Sequence, residues 1–256
     1  MNKTHTNVVS VRDLVMEFPL SRGVTVRAVS GVSFDIRRGE TLGLVGESGC
    51  GKSTTARAVM QLPAPTRGSV KIEGVELTEL DANALREQRR HFQMIFQDPI
   101  SSLNPRRRVE DIVSMPLDIL REGTPAQRKA RTRDVIEAVG LDPNTTLDRR
   151  PFQFSGGQCQ RISIARALVL NPSVLICDEP VSALDVSIQA QIVNLLQDMK
   201  ARYDLTMLFI SHDLSIVKNV CDRVAVMYLG RVCEMADSHS LYKQPRHPYT
   251  AALLSA

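Results

Sequence analysis

GESGCGKST, Gly46 to Thr54, follows directly on the apolar run TLGLV, Thr41 to Val45. Glycine weakens helix and strand alike, so a cluster of them needs a reason. The stretch fits the pattern G-x-x-x-x-G-K-[ST], with Gly46, Gly51, Lys52 and Ser53 in the fixed places. Hydrophobic periodicity predicts a strand before it and a helix, KSTTARAVMQL, after it. In that setting successive backbone N–H groups form an anion nest, and the helix beginning near Lys52 aims its positive end at a phosphate. Glycines let the backbone wrap the phosphate without Cβ atoms in the way. The reading assigns Gly46, Ser48, Gly49, Cys50, Gly51, Lys52, Ser53 and Thr54 to the phosphates of a nucleotide. Lys52 reaches the β and γ phosphates, and the Ser53 hydroxyl ligates Mg2+.

A loop of this kind needs a second metal anchor. SVLICDEP, Ser173 to Pro180, supplies one: an apolar run ending in Asp178 and then Glu179. Asp178, at the strand end, would hold Mg2+ through water. Glu179 stands one residue further on, where a base polarises an attacking water. His212 follows the run TMLFI. Local pattern alone favours a helix-start or surface histidine there; the alternative is a contact to the γ phosphate at the C-terminal edge of the sheet.

The rest of the chain bounds the answer. It has 256 residues, enough for one large domain, and no tryptophan, which argues against a nucleic-acid binder built on stacking. A net charge of +4 suits an anionic ligand or a membrane surface. No apolar run approaches the roughly 20 residues of a membrane helix. MNKTHTNVV lacks the apolar core of a signal peptide, so a cytoplasmic location is expected. The five cysteines (50, 159, 177, 221 and 233) form no C-x-x-C pair, which argues against a metal site or a disulfide frame.

Strand-like runs alternate with helical ones, which implies a largely parallel sheet. Two longer runs, VVSVRDLVMEF and VTVRAVSGVSFDI, precede the glycine loop. From 98 to 171 charges are frequent and apolar residues recur at helical spacing, so this stretch reads as an inserted helical subdomain. The core is expected over 1–97 and 172–235, within a single domain. The segment 236–256 reads as a polar surface extension. The fold class expected is α/β with the helical insertion; resemblance to P-loop NTPases implies a RecA-like core with an N-terminal antiparallel β region.

FSGGQ, Phe154 to Gln158, lies about a hundred residues after the loop and just before DEP. With FQDP, SALD and SHD in the same order, the chain resembles the ATP-binding subunit of an ABC transporter along nearly its whole length. The resemblance implies a head-to-tail dimer of two such ATPase subunits, identical or homologous. Each ATP would lie between one P-loop and the other subunit's Ser155, Gly156, Gly157 and Gln158. It also implies that Gln97 senses Mg2+ and the attacking water, that Glu179 is the catalytic base, that His212 contacts the γ phosphate and that Asp185 lies at the interface. Asn171-Pro172 would be the second hinge of the insertion. An aromatic on an early loop stacks the adenine in this family. Phe18 is the residue expected here; the alternative is a core phenylalanine at a strand end.

FQDPISSLNPRRRV and QPRHPYTAALLSA resemble the ATPases of peptide and nickel importers. That likeness implies two transmembrane permease partners, an indirect link to an extracytoplasmic solute-binding protein, no nucleic acid, and a place at the cytoplasmic face of the membrane. Many longer members of that group carry cysteines for an iron–sulfur cluster after this tail. The chain has none of them, so no cluster is expected. Arg106, Arg107 and Arg108 read either as a solvated turn or as a contact to lipid headgroups or membrane subunits. The competing function is a non-transport ABC ATPase, such as an accessory ATPase of phosphonate metabolism.

Overall fold

The computed structural model describes residues 6–20 and 23–255; the start of MNKTHTNVV lies outside them. In chain order the elements are β1 (Asn7–Pro19), β2 (Thr25–Arg37), β3 (Thr41–Val45), α1 (Lys52–Val59), β4 (Arg67–Ile72), β5 (Val75–Glu76), α2 (Ala82–Gln88) and β6 (Phe92–Ile95). Next come α3 (Pro99–Ser102), α4 (Val109–Ile119), α5 (Pro125–Ala138), α6 (Pro143–Thr146), a 3-10 turn at Pro151–Gln153, α7 (Gly156–Leu168) and β7 (Val174–Asp178). The chain closes with α8 (Val186–Tyr203), β8 (Thr206–Ile210), α9 (Leu214–Val220), β9 (Arg223–Tyr228), β10 (Arg231–Asp237), α10 (Ser238–Lys243) and α11 (Pro248–Ser255).

The chain forms two compact units. The first runs to Leu85 and resumes at Thr206; the second is Arg86–Leu205. In the first unit β2, β1, β4 and β5 make an antiparallel sheet. In β2, Val32, Phe34 and Ile36 are buried at alternate positions, as in a strand with one covered face, while β1 buries Val8–Val9 and Leu14–Met16 in runs. Beside it, β3 pairs in parallel with both β8 and β9. All five residues of β3 and of β8 are buried, the pattern of strands covered on both faces. α1 packs against β1, β2 and β8, and α9 against β3. Glu40, almost fully buried, accepts from the Arg223 guanidinium at 3.0 Å and from the Arg37 amide at 2.7 Å. The buried charge is thus paired and hydrogen-bonded.

Two strand-level features depart from the sequence reading. RVCEMAD forms β10, which turns back antiparallel on β9; its alternation is weak, because most of its residues are half-buried. The segment after Met235, expected as a polar surface extension, carries secondary structure of its own. β10 runs through it to Asp237, and α10 and α11 follow. Leu241 and Thr250 are buried, which gives these short helices a reason to fold.

In the second unit β6 and β7 pair in parallel. Between them the chain is helical from Pro99 to Leu168, with no strand among the described residues. Ile112, Val113 and Leu117 of α4, Val135 and Ile136 of α5, and Ile162, Ala165 and Leu168 of α7 are buried where these helices meet. Thr124 opens α5 with a capping box shared with Gln127. Asn171 follows α7 in a left-handed conformation, φ 53°.

Candidate functional site

β3 delivers the chain to Gly46, and α1 receives it at Lys52. Gly46 has φ 148° and Gly51 φ 107°, both closed to most side chains. A methyl group on Gly46 would lie 2.2 Å from the Met227 carbonyl oxygen of β9. One on Gly51 would lie 2.4 Å from the Ala28 carbonyl oxygen of β2. The crowding that forces glycine therefore comes from the protein's own neighbouring strands. Glu47, Ser48 and Gly49 form the exposed tip of the loop, while Cys50 is buried. Burial raises the Cys50 thiol pKa and keeps it neutral.

The Lys52 side chain is 4% exposed. Its ammonium donates to the Gly46 carbonyl at 2.8 Å and the Glu47 carbonyl at 2.9 Å, so the charge is fixed inside the curve of the loop. Ser53 and Thr54 are half-buried on the first turn of α1. The Thr55 hydroxyl donates back to the Gly51 carbonyl at 2.9 Å and ties that turn to the loop. This arrangement fits a polyphosphate: a buried cation, a helix start and a loop without Cβ atoms at its two tightest points.

His212 leaves the end of β8. Leu44 of β3 stands opposite Ile210 of β8 in parallel register, so Gly46 and His212 emerge at the same edge. His212 is exposed. Asp213 caps α9, accepting from the Ser215 and Ile216 amides at 2.8 and 3.2 Å. Phe18 lies near the end of β1, opposite Val26 of β2, and is 39% exposed. It is therefore not a core phenylalanine. With Val26, also exposed, it leaves a small apolar surface at the end of the hairpin.

In the second unit Asp178 ends β7 and is 1% exposed. Glu179 follows in a left-handed conformation, φ 48°, which costs energy in a residue with a Cβ. That turn re-aims its carboxylate, which accepts from Gln97 Nε2 at 3.0 Å. Gln97 stands just beyond β6, and Asp98 after it caps α3 through the Ile100 and Ser101 amides. The parallel pairing of β6 with β7 thus unites two side chains 82 positions apart.

Ser155 is the N-cap of α7. Its hydroxyl accepts from the Gln158 amide at 3.4 Å, and its own amide donates to the Gln158 side chain at 3.0 Å. A methyl on Gly157 would lie 2.7 Å from Ile188 Cγ2 of α8, so the second glycine lets α7 start against that helix. Asp185 is exposed and heads α8 without capping it through its side chain. Of the basic run, Arg108 pairs with Asp148 at 3.0 Å, and all three arginines are exposed.

Sequence reasoning missed several supports. The Gly230 amide donates to the Cys50 carbonyl at 2.9 Å, and the Glu47 amide donates to the Tyr249 hydroxyl at 3.1 Å. Arg166 of α7, largely buried, donates to the Ser102 carbonyl at 2.6 Å and joins that helix to α3. All three contacts bridge long stretches of chain, and no local pattern announces them.

A family model described as ABC transporter matches residues 29–182. A putative peptide import ATP-binding protein of Brucella ovis is 53% identical over 253 residues, spanning 99% of this chain and 79% of its own length. The chain belongs to the ABC transporter family. Two further ABC relatives are the oligopeptide transport ATP-binding proteins AppF of Bacillus subtilis and OppF of Salmonella typhimurium. They are 48% and 49% identical, each over 97% of this chain and over 78% and 77% of their own lengths. Among solved structures, the chain resembles the ATP-binding cassette MJ0796 in its dimeric, post-hydrolysis state with ADP and Pi. The TM-score is 0.81 at 27% identity, covering 90% of this chain and 98% of that one. The fold is that of the ABC ATPase cassette: α/β, with an antiparallel sheet and a helical part. The span matched to the ABC family contains Gly46–Thr54, Gln97, Ser155–Gln158, Asp178 and Glu179. Phe18, Asp185, His212 and the supporting Tyr249 lie outside it.

Proposed function

We propose that this chain is the ATP-hydrolysing subunit of an importer for peptides or a similar small solute. The observation that carries this reading is the similarity, over nearly the whole chain, to proteins named for peptide import. Those names favour transport over an accessory role in phosphonate metabolism. No helix among the described residues is long and apolar enough to cross a membrane. The solute therefore passes through two permease partners, and this chain works at their cytoplasmic face. An extracytoplasmic solute-binding protein feeds them.

ATP binds with its phosphates in the loop Gly46–Thr54 and its adenine on Phe18. Lys52 neutralises the phosphates, and His212 meets the γ phosphate. No group of three or more His, Cys, Asp or Glu side chains among the described residues could hold a metal. Ser53, Gln97 and Asp178 would offer oxygens to a Mg2+ ion, a donor type that suits it. When bound it neutralises charge on the phosphates. Glu179 takes the proton of the attacking water, and Gln97, already bonded to that carboxylate, orients the pair. A second ATPase subunit supplies Ser155, Gly156, Gly157 and Gln158 to the γ phosphate, with Asp185 at the interface. The dimeric state of MJ0796 supports this arrangement.

The test is Glu179→Gln. It keeps the size of the side chain and removes the base. ATP binding stays intact, hydrolysis slows by roughly 10²–10⁴, and an ATP-bound dimer accumulates in size-exclusion chromatography. Turnover at the normal rate would remove Glu179 from the mechanism.

A further inference from the structure

The exposed tip Glu47–Gly49 is attached at both ends to parts of the chain nearly two hundred residues away. On one side the Gly230 amide, in the turn between β9 and β10, donates to the Cys50 carbonyl. On the other, the Glu47 amide donates to the Tyr249 hydroxyl at 3.1 Å. The Tyr249 ring lies against that of Tyr228, centroids 4.2 Å apart. Tyr228 ends β9, so the stack rests on the strand that also crowds Gly46. The backbone around Tyr249 is fixed in turn. Glu234 of β10 accepts from the Arg246 and His247 amides, both at 2.9 Å, and the Tyr249 amide donates to His247 Nδ1 at 3.2 Å. Burial pushes the Tyr249 phenol up from its ordinary pKa, so it stays neutral near pH 7.

We propose that Tyr249 is a positioning residue of the phosphate loop, pinning the Glu47 peptide so that the loop is held in shape for a triphosphate. This rests on the reading of Gly46–Thr54 as the nucleotide site. The phenol does not touch the reacting atoms. It acts through one main-chain amide, and through it the folding of α11 is felt at the loop. Preorganised donors bind a ligand with less ordering cost, so losing the pin weakens binding without unfolding the chain.

The experiment uses the full chain with mant-ATP and Mg2+, alongside nucleotide-free melting and amide hydrogen exchange of a peptide covering Glu47. Tyr249→Phe keeps the ring and its stack. It is expected to weaken mant-ATP binding roughly three- to ten-fold. Exchange at Glu47 should accelerate, and the melting temperature should stay within about 2 °C. Tyr242→Phe removes another phenol of the same tail, one that donates to the Leu214 carbonyl and not to the loop. It should lower the melting temperature and leave affinity unchanged. Wild-type affinity and exchange in Tyr249→Phe would overturn the proposal. So would affinity losses in the two variants that track their loss of stability. If the unaltered chain fails to bind mant-ATP, or Lys52→Ala binds it undiminished, the nucleotide reading itself falls and this inference with it.

Discussion

At the scale of single residues, glycine and lysine in the phosphate loop answer to different demands. Gly46 and Gly51 face carbonyl oxygens of adjacent strands at distances no Cβ tolerates. A methyl on Gly49 would meet nothing within 4 Å, so there only its φ of 80° favours glycine. Gly46→Ala should therefore cost about 3 kcal/mol or more of stability. Gly49→Ala should cost only about 1 kcal/mol. Urea unfolding of the two variants checks this, and equal costs would contradict it. The requirement for glycine was legible in the sequence. Its source was not, because Met227 and Ala28 lie far along the chain from the loop. Phe18 shows the same limit: the sequence marks an aromatic near a strand end, but only pairing and exposure separate it from the core.

At the scale of elements, caps and turns set where the functional side chains point. Asp213 fixes the start of α9 directly after His212. The Ser215 hydroxyl, the Ile216 and Ser215 amides and the nearby His212 lower its carboxyl pKa, against a smaller upward push from burial. A folded-state pKa below the unfolded one adds stability that is present above the ordinary carboxylate range. That stability is lost as pH falls through the lowered value. Asp213→Ala should thus cost about 1 kcal/mol at pH 7, and the gap from the unaltered chain should narrow below about pH 4. Paired melts at pH 7 and pH 3 read this directly. A gap independent of pH would mean that the charge on Asp213 does not matter.

The long amphipathic helices and the apolar strands β3, β7 and β8 were legible because each has a strong period or an unbroken apolar run. β5, α2, α3 and α6 are too short to carry one. α10 and α11 are short as well, and their folding depends on burying Leu241 and Thr250 against the rest of the chain. The bond between Gln97 and Glu179 lay beyond sequence for another reason. It depends on the left-handed turn at Glu179, which no composition rule assigns to glutamate.

At the scale of the whole molecule, the proposed two-chain site makes a prediction that single variants do not. Lys52→Ala damages one face of each subunit and Ser155→Arg the other. Each alone should abolish hydrolysis. An equal mixture should recover a measurable fraction of it, because a mixed pair holds one site with both faces intact. A phosphate-release assay after mixing checks this; a mixture as inactive as its components would argue that each chain acts alone. The order of elements along the chain carries a further consequence. β3, which presents the phosphate loop, finds its parallel partners in β8 and β9, and the loop is braced from Gly230 and Tyr249. All of Arg86–Leu205 intervenes. On a ribosome the antiparallel sheet β2-β1-β4-β5 can close early, from local pairings, while the loop stays unfinished for on the order of ten seconds. Its main-chain amides therefore take their final arrangement only after the chain has been made through Tyr249.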